Sequence, residues 1–302
     1  MESRFGAFKI GLERLLHFMP HLRRFSSSEV ELGTAALAAL GQVCGRGLRE
    51  LDIMLGGKRS ETAAQAVLLI PFLGLKRLSI TIRGMGDTSE LSYPDTPTLN
   101  MPTLIQLNLT CLVDDALLEI LEYVSRGCFP GMRILVLDLP YIGRPPTLST
   151  PCGALLPLFR TVGPQLSTLC LRTPQAPDAA QLLFPLLKKI RKLHLMDGTM
   201  PENVVDFLPQ RLVELHLGFD LDSWREGHHV VQCLDQLRTT ITPRKSLAVI
   251  CLKSSTAQPV HWWTMATSNS ALAGQLMIRA MWLQAQGISL KDQSGKWVGQ
   301  WS

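Results

Sequence analysis

Four residues able to bind metal or carry nucleophilic chemistry recur at the same position of a repeated segment in the second half of the chain. They are Cys170, His194, His216 and Cys251. Each is the fifth residue of a Leu-x-x-Leu-x-Leu-like segment, so the four are predicted to lie side by side on successive parallel strands. Thiolate and imidazole are ligands that zinc prefers, and a Cys beside a His is also the arrangement of a thiol nucleophile.

The spacing of strands in a sheet limits this chemistry. Adjacent strands lie about 4.8 Å apart, so the outer two cysteines are roughly 14 Å apart, whereas zinc needs its ligands within about 2.0–2.3 Å. At most His194 and His216 could share a metal, and a solvated His pair is the expectation. Cys170 beside His194 would lie on an open sheet face without an oxyanion hole. We therefore predict no metal site, no cofactor and no enzymatic activity.

The elements that position these residues are repeats of one segment. Its clear copies start at Leu48, Leu75, Leu104, Met132, Leu166, Ile190, Leu212 and Leu247, and a decayed copy starts at Leu22. A mean step of about 28 residues is typical of a leucine-rich repeat, and 53 of the 302 residues are Leu. The first, fourth and sixth positions are predicted to point into the core, and the third and fifth to point outward.

This pattern predicts an α/β fold, a leucine-rich-repeat solenoid or horseshoe with a parallel sheet on the concave face and helices on the convex face. Helices are expected over residues 34–43, 61–70, 115–124 and 179–190, the last three capped by Ser60, Asp114 and Asp178. The Pro- and Gly-rich segments 83–102 and 139–151 are expected to be surface loops, which could bind a partner.

The two ends of the chain differ from the repeats. Residues 1–21 are predicted to cap the amino end through an amphipathic helix over 5–19, residues 22–252 to form the repeats, and residues 253–302 to form a second cap. Five of the six Trp residues lie in this last segment. It is predicted to hold a helix over 271–286 capped by Asn269 or Ser270, a strand over 288–291 and a turn. A Trp-rich cap over the last core is expected, and a Trp platform for a ligand is the alternative.

Charge and cysteine usage narrow the class of function. The net charge is +5, and residues 1–150 hold 15 basic and 15 acidic residues, so the excess lies in the second half. This is weak support for nucleic-acid binding, although the run Lys188–Lys192 could contact phosphate or an acidic partner. Seven cysteines without a CxxC pair favour a reduced, cytoplasmic or nuclear protein. No apolar stretch reaches the roughly 20 residues that span a bilayer.

The repeat length, the Leu-x-x-Leu-x-Leu cores and the Pro-rich interruptions resemble the leucine-rich-repeat part of fungal F-box proteins, of the ribonuclease-inhibitor-like class. The resemblance covers about residues 15–290. Such proteins are substrate receptors of cullin–RING ubiquitin ligases, in which the repeats hold the substrate and an F-box docks the linker protein. Residues 1–21 show no LPxE-type F-box start. The usual Asn or Cys three places after the last strand Leu is also missing.

The resemblance implies a non-enzymatic protein-interaction scaffold, similar to the substrate-recognition part of an SCF-type receptor, with a protein partner on the concave face. The candidate partner-binding residues at outward positions are Arg77, Gln106, Asn108, Lys192, His194, Glu214 and His216. The alternative is nucleic-acid or phospho-ligand binding through the basic second half, around Lys188–Lys192.

Overall fold

Parallel strands recur along the chain at the predicted repeats. The computed structural model describes residues 15–16, 18–57, 68–84, 98–111, 121–139, 151–172, 179–196, 204–239, 246–256, 259–298 and 300. Within these ranges the strands are β1 (Arg24–Glu31), β2 (Glu50–Gly57), β3 (Arg77–Gly84), β4 (Gln106–Cys111), β5 (Ile134–Asp138), β6 (Thr168–Arg172), β7 (Lys192–Leu195), β8 (Glu214–Phe219), β9 (Val249–Ser254) and β10 (Ser289–Lys291).

The strands have the register that the repeat predicts. β2, β3 and β4 each begin at the third repeat position, and residues at equal repeat positions pair across the ladder, as Leu51 does with Leu78. In the eight clear repeats the first, fourth and sixth positions are buried, and Leu48, Leu51 and Ile53 are at most 1% exposed, whereas the same positions of the decayed repeat at Leu22 are only half-buried. Each of these eight repeats thus adds three apolar side chains to the core of its unit, and the α/β leucine-rich-repeat solenoid predicted from the sequence is confirmed.

Helices occupy several connectors between the strands. They are α1 (Thr34–Cys44), α2 (Pro151–Val162), α3 (Ala179–Leu183), α4 (Val204–Phe207), α5 (Trp224–Thr239), α6 (Trp262–Ser268) and α7 (Ser270–Ala285), with 3-10 turns at Gly163–Gln165 and Phe184–Leu186. α1 and α7 confirm the helices expected there. The helix predicted over 179–190 is too long: it ends at Leu183, because Pro185 cannot donate a helical hydrogen bond.

Some expectations for the connectors fall outside the described residues. These include the predicted caps Ser60, Asp114 and Asp178, the helix over 61–70 except for its last three residues, and most of the loops 83–102 and 139–151. Residues 121–125 are helical, in agreement with the helix expected over 115–124. The ends of both predicted loops need correction. Arg83 still belongs to β3, and Pro151 already begins α2, where a helix tolerates proline.

A backbone ladder joins one repeat to the next just before each strand begins. From β1 to β5 and from β6 to β9, the carbonyl at the second repeat position accepts two N–H groups from the following repeat. Arg23 O, for example, accepts from Arg49 N at 2.8 Å and from Glu50 N at 3.0 Å. The same pattern recurs at Arg191 O, which accepts from Val213 N at 2.8 Å and Glu214 N at 2.9 Å. Successive repeats are therefore held at the same offset.

The chain divides into two compact units. The first comprises residues 1–141 and 157–162, and the second comprises residues 142–156 and 163–302. β1 to β5 belong to the first unit and β6 to β10 to the second. Within each unit every strand pairs in parallel with the next along the chain. No helix among the described residues has the length and apolar character needed to cross a membrane.

The last segment of the chain adds a strand as well as helices. Asn269 caps α7, because its Oδ1 accepts a hydrogen bond from Leu272 N at 3.1 Å. β10 then pairs with β9, and a turn at Asp292 brings Trp297 into an antiparallel bridge with Lys291. Among the tryptophans expected to cover the core, Trp262 is 7% exposed but Trp263 is 70% exposed. Shielding by the tryptophans is thus only partial.

The predicted amino-terminal helix over 5–19 lies mostly outside the described residues. Its described part shows helical backbone at residues 15–16. Leu16 is buried. The division of the chain into a capping segment, repeats and a second cap stays a prediction.

Candidate functional site

Strands β6 to β9 bring the four chemistry-bearing residues into one row on the sheet. Cys170 pairs with His194, His194 with His216, and His216 with Cys251 across the three ladders. The adjacent row places Lys192 beside Glu214. The side chains at the third and fifth repeat positions point away from the core, on the side of the sheet predicted to be concave. We call this surface the outer sheet face.

The histidine cluster consists of Lys192, His194, Glu214 and His216 on this face. The rings of His194 and His216 stack with centroids 4.0 Å apart and planes inclined by 21°. Glu214 Oε2 lies 2.8 Å from Lys192 Nζ and 3.3 Å from His216 Nε2. One carboxylate thus links a lysine to an imidazole, and a second imidazole covers the first.

The expectation of a solvated His pair is wrong for His216, which is 5% exposed. Its ring lies on an inner strand and its neighbour's ring stacks against it, so little water reaches it. Because a carboxylate only accepts hydrogen bonds, we assign the proton of neutral His216 to Nε2, facing Glu214. Nδ1 of His216 is then a buried acceptor with no partner in the described part of the chain.

Burial and neighbouring charges keep both imidazoles neutral. The pKa of His194 is lowered from 6.5 to about 4, first by burial and then by the proximity of His216, Lys192 and Lys253. Burial likewise lowers the pKa of His216, and the hydrogen bond to Glu214 partly opposes this. The hydrogen bond from Lys192 lowers the pKa of Glu214. At neutral pH the cluster therefore combines two neutral rings with one ion pair.

This arrangement is poorly suited to metal or thiol chemistry. Within the described ranges, no group of three or more His, Cys, Asp or Glu side chains is placed to hold a metal ion. Burial raises the pKa of the Cys251 thiol, which makes the nucleophilic thiolate scarce at neutral pH. The cluster presents the partly exposed ring of His194 and the half-exposed Lys192–Glu214 ion pair.

The remaining predicted site residues lie together in the first unit. Arg77 Nη2 contacts Glu50 Oε1 at 2.9 Å, and its side chain is 59% exposed. Gln106 Nε2 donates to Asn108 Oδ1 at 3.0 Å, and both residues are half-buried. The structure therefore separates the seven candidates into two groups, Arg77, Gln106 and Asn108 in one unit and the histidine cluster in the other.

The basic run Lys188–Lys192 does not form one uniform stripe. Lys188 and Lys189 are exposed in the turn that precedes β7. Lys192 instead lies on the outer sheet face and pairs with Glu214. Lys188, Lys189 and Arg191, which is also exposed, therefore present positive charge outside the Lys192–Glu214 pair.

Sequence reasoning missed an ionic and aromatic cluster between α5 and α7. Arg279 Nη2 contacts Asp235 Oδ2 at 2.5 Å, and the Arg238 guanidinium lies 3.9 Å from the ring centroid of Trp282. The residues come from two segments that are distant in sequence, so no local spacing predicts the cluster. The cluster ties the last long helix to its neighbour and offers no reactive group.

The strand register, the buried aliphatic positions and the helical connectors define a leucine-rich-repeat solenoid. No protein-family model and no curated protein matches the chain. Among solved structures, it is similar to the leucine-rich repeat-containing protein LegL7 from Legionella pneumophila. The two share 13% sequence identity with a TM-score of 0.49, and the match covers 95% of this chain and 89% of that chain.

Proposed function

We propose that this chain is a non-enzymatic protein-interaction scaffold that binds a protein partner on its outer sheet face. The observation that carries the proposal is the histidine cluster. It places two stacked neutral rings and a Lys–Glu pair on a face that such solenoids use for recognition.

The chemistry of the cluster suits a polypeptide better than a phosphate. The partly exposed neutral ring of His194 offers surface for an apolar or aromatic side chain, and Glu214 and Lys192 offer an acceptor and a donor. A phosphate near Lys192 would also meet the carboxylate of Glu214, whose Oε2 is only 2.8 Å from the ammonium. This favours a protein partner over the nucleic-acid or phospho-ligand alternative.

Substitution within the cluster tests the proposal. The full chain serves as bait, and partners are quantified by mass spectrometry for Lys192→Gln and for Lys189→Gln, an exposed matched control. We expect Lys192→Gln to reduce partner recovery by about tenfold, as for a charged interface group, while Lys189→Gln leaves it unchanged. Loss in Lys189→Gln with retention in Lys192→Gln would instead support a phospho-ligand on the basic run.

The finer proposal is that the partner is a substrate of an SCF-type ubiquitin ligase. It is supported by the resemblance of the repeats to those of F-box proteins. Co-purification of a cullin and its linker protein with the full chain is the expected result. A partner recovered without either component, in a mass-spectrometric analysis of equal depth, would leave a recognition module outside the ligase.

A further inference from the structure

In the first unit, basic residues lie at the end of the sheet where the strands begin. The second repeat position there is basic in four of five repeats, at Arg23, Arg49, Lys76 and Arg133, with Ile105 between the last two. Their backbones are adjacent: Arg49 N bonds to Arg23 O, Lys76 N to Arg49 O and Arg133 N to Ile105 O, all at 2.8 Å. We call these four cations the basic edge.

The arginines of this edge are oriented by backbone carbonyls. Arg23 Nη1 donates to Gly47 O and Arg49 Nη1 donates to Gly74 O, both at 2.9 Å. Arg133 Nη1 donates to Met132 O at 2.9 Å. A carbonyl positions a guanidinium without neutralising its charge, and a guanidinium has five N–H donors in total. These contacts therefore hold Arg23 and Arg49 in fixed places without neutralising their charge.

The neighbouring third repeat position adds cations and one carboxylate. Arg24 Nε and Arg77 Nη2 contact opposite oxygens of Glu50 at 3.1 Å and 2.9 Å. The second and third positions of the first five repeats thus carry six cations and one anion. Residues 1–150 nevertheless balance in charge, because their other acidic residues lie at other positions of the sequence.

We propose that the basic edge binds an extended acidic segment of a protein partner. This extends the proposed scaffold function to a second surface and names the chemistry of its partner. Four strand spacings of about 4.8 Å make the edge about 19 Å long. Side chains on one side of an extended peptide are about 6.7 Å apart, so about three or four carboxylates span it.

An acidic peptide fits this edge better than a nucleic acid does. Glu50 lies between Arg24 and Arg77, where a continuous chain of phosphates would be repelled. A peptide can place a neutral residue at that point. The second and third positions of these repeats also carry no aromatic residue on which a base could stack.

Charge reversal at the exposed members tests the proposal. Fluorescence anisotropy measures binding of the full chain to a labelled peptide of about twelve alternating Glu and Ser residues at low salt. The variant is Lys76→Glu with Arg133→Glu, and the control with the same change in net charge is Lys188→Glu with Lys189→Glu. Arg23 and Arg49 are left intact because they bond to the next repeat.

We expect the first variant to weaken peptide binding by about tenfold and the control by less than about twofold, with binding that falls steeply as salt rises. Lys76→Gln alone, which preserves the backbone ladder, should weaken binding by about threefold. Equal weakening in variant and control, or no binding at low salt, overturns the proposal.

The nucleic-acid alternative has its own outcome in the same assay. Tighter binding of a U-rich RNA of similar charge than of the peptide, lost on Lys76→Glu with Arg133→Glu, would assign the edge to nucleic acid. The bait experiment with Lys192→Gln tests the histidine cluster, which shares no residue with the basic edge. Failure at the basic edge is therefore distinguishable from failure of the proposed function.

Discussion

Mild acid is expected to destabilise the fold through the histidine cluster. The pKa of His194 falls from 6.5 to about 4 in the folded protein, because its ring is partly buried and stacks on His216. The unfolded chain, in which the ring is fully hydrated, binds a proton near pH 6.5. Between these two values the unfolded chain binds more protons than the folded one.

The sign and size of the effect follow from this difference. The stabilisation is complete above pH 6.5 and is lost as pH falls towards 4. One histidine contributes at most about 1.4 kcal/mol per pH unit, so a fall from neutral pH to about pH 5 removes at most about 2 kcal/mol. Contact of the His194 ring with water reduces this to about 1 kcal/mol. His216, whose pKa is also lowered, acts in the same direction.

Urea unfolding followed by tryptophan fluorescence at about pH 7.5 and about pH 5 measures the effect. We compare the wild type with His194→Gln/His216→Gln and with the control His21→Gln, which alters an exposed histidine. Between the two pH values, the free energy of unfolding of the double variant should fall by about 1 kcal/mol less than that of the wild type. The control should match the wild type. Equal pH dependence in all three, or an NMR titration of His194 near pH 6.5, refutes the reasoning.

Three further substitutions test packing and capping by denaturant midpoint. Gly218→Ala should destabilise the protein by about 1–3 kcal/mol, because the new Cβ would lie 2.7 Å from Met196 Cα, directly after the neighbouring strand β7. Gly274→Ala should stabilise it by about 0.5–1 kcal/mol, because a Cβ in this helix interior meets no atom within 4 Å. Asn269→Ala should cost about 1 kcal/mol, because it removes the cap on Leu272 N.

Each of these has a result that would contradict it. A neutral Gly218→Ala would mean that β7 and β8 can separate locally. Destabilisation by Gly274→Ala would mean that another surface covers α7. For the cap, Ser270→Ala is the matched control, and equal losses at positions 269 and 270 would show that the effect is helix propensity alone.

The strands could be predicted from the sequence because their signal is periodic and repeated. The inward aliphatic residues of a repeat are separated by three and then by two places, as at Leu48, Leu51 and Ile53. This spacing sets both the strand register and the buried side. The boundary of α3 could also have been predicted, since Pro185 lies inside the expected helix. The row from Cys170 to Cys251 followed directly from the register.

The properties of the site could not be predicted, because they depend on side-chain positions. The repeat places His194 and His216 on adjacent strands, but their stacking and the burial of His216 arise from the ring orientations. Charge totals for each half of the chain likewise concealed the basic edge. Its cations share one repeat position, and a count along the chain does not separate positions.

The doubly accepting carbonyls have a consequence for how the array can grow by gene duplication. From β6 to β9, one backbone carbonyl at the second repeat position accepts two N–H groups of the next repeat, so a copied repeat inserted between β7 and β8 would find matching partners on both sides. The far side of β10 differs, since the chain returns there and Trp297 pairs with Lys291. Duplication is therefore accommodated inside the array, whereas beyond β10 a new copy would first have to displace that returning segment.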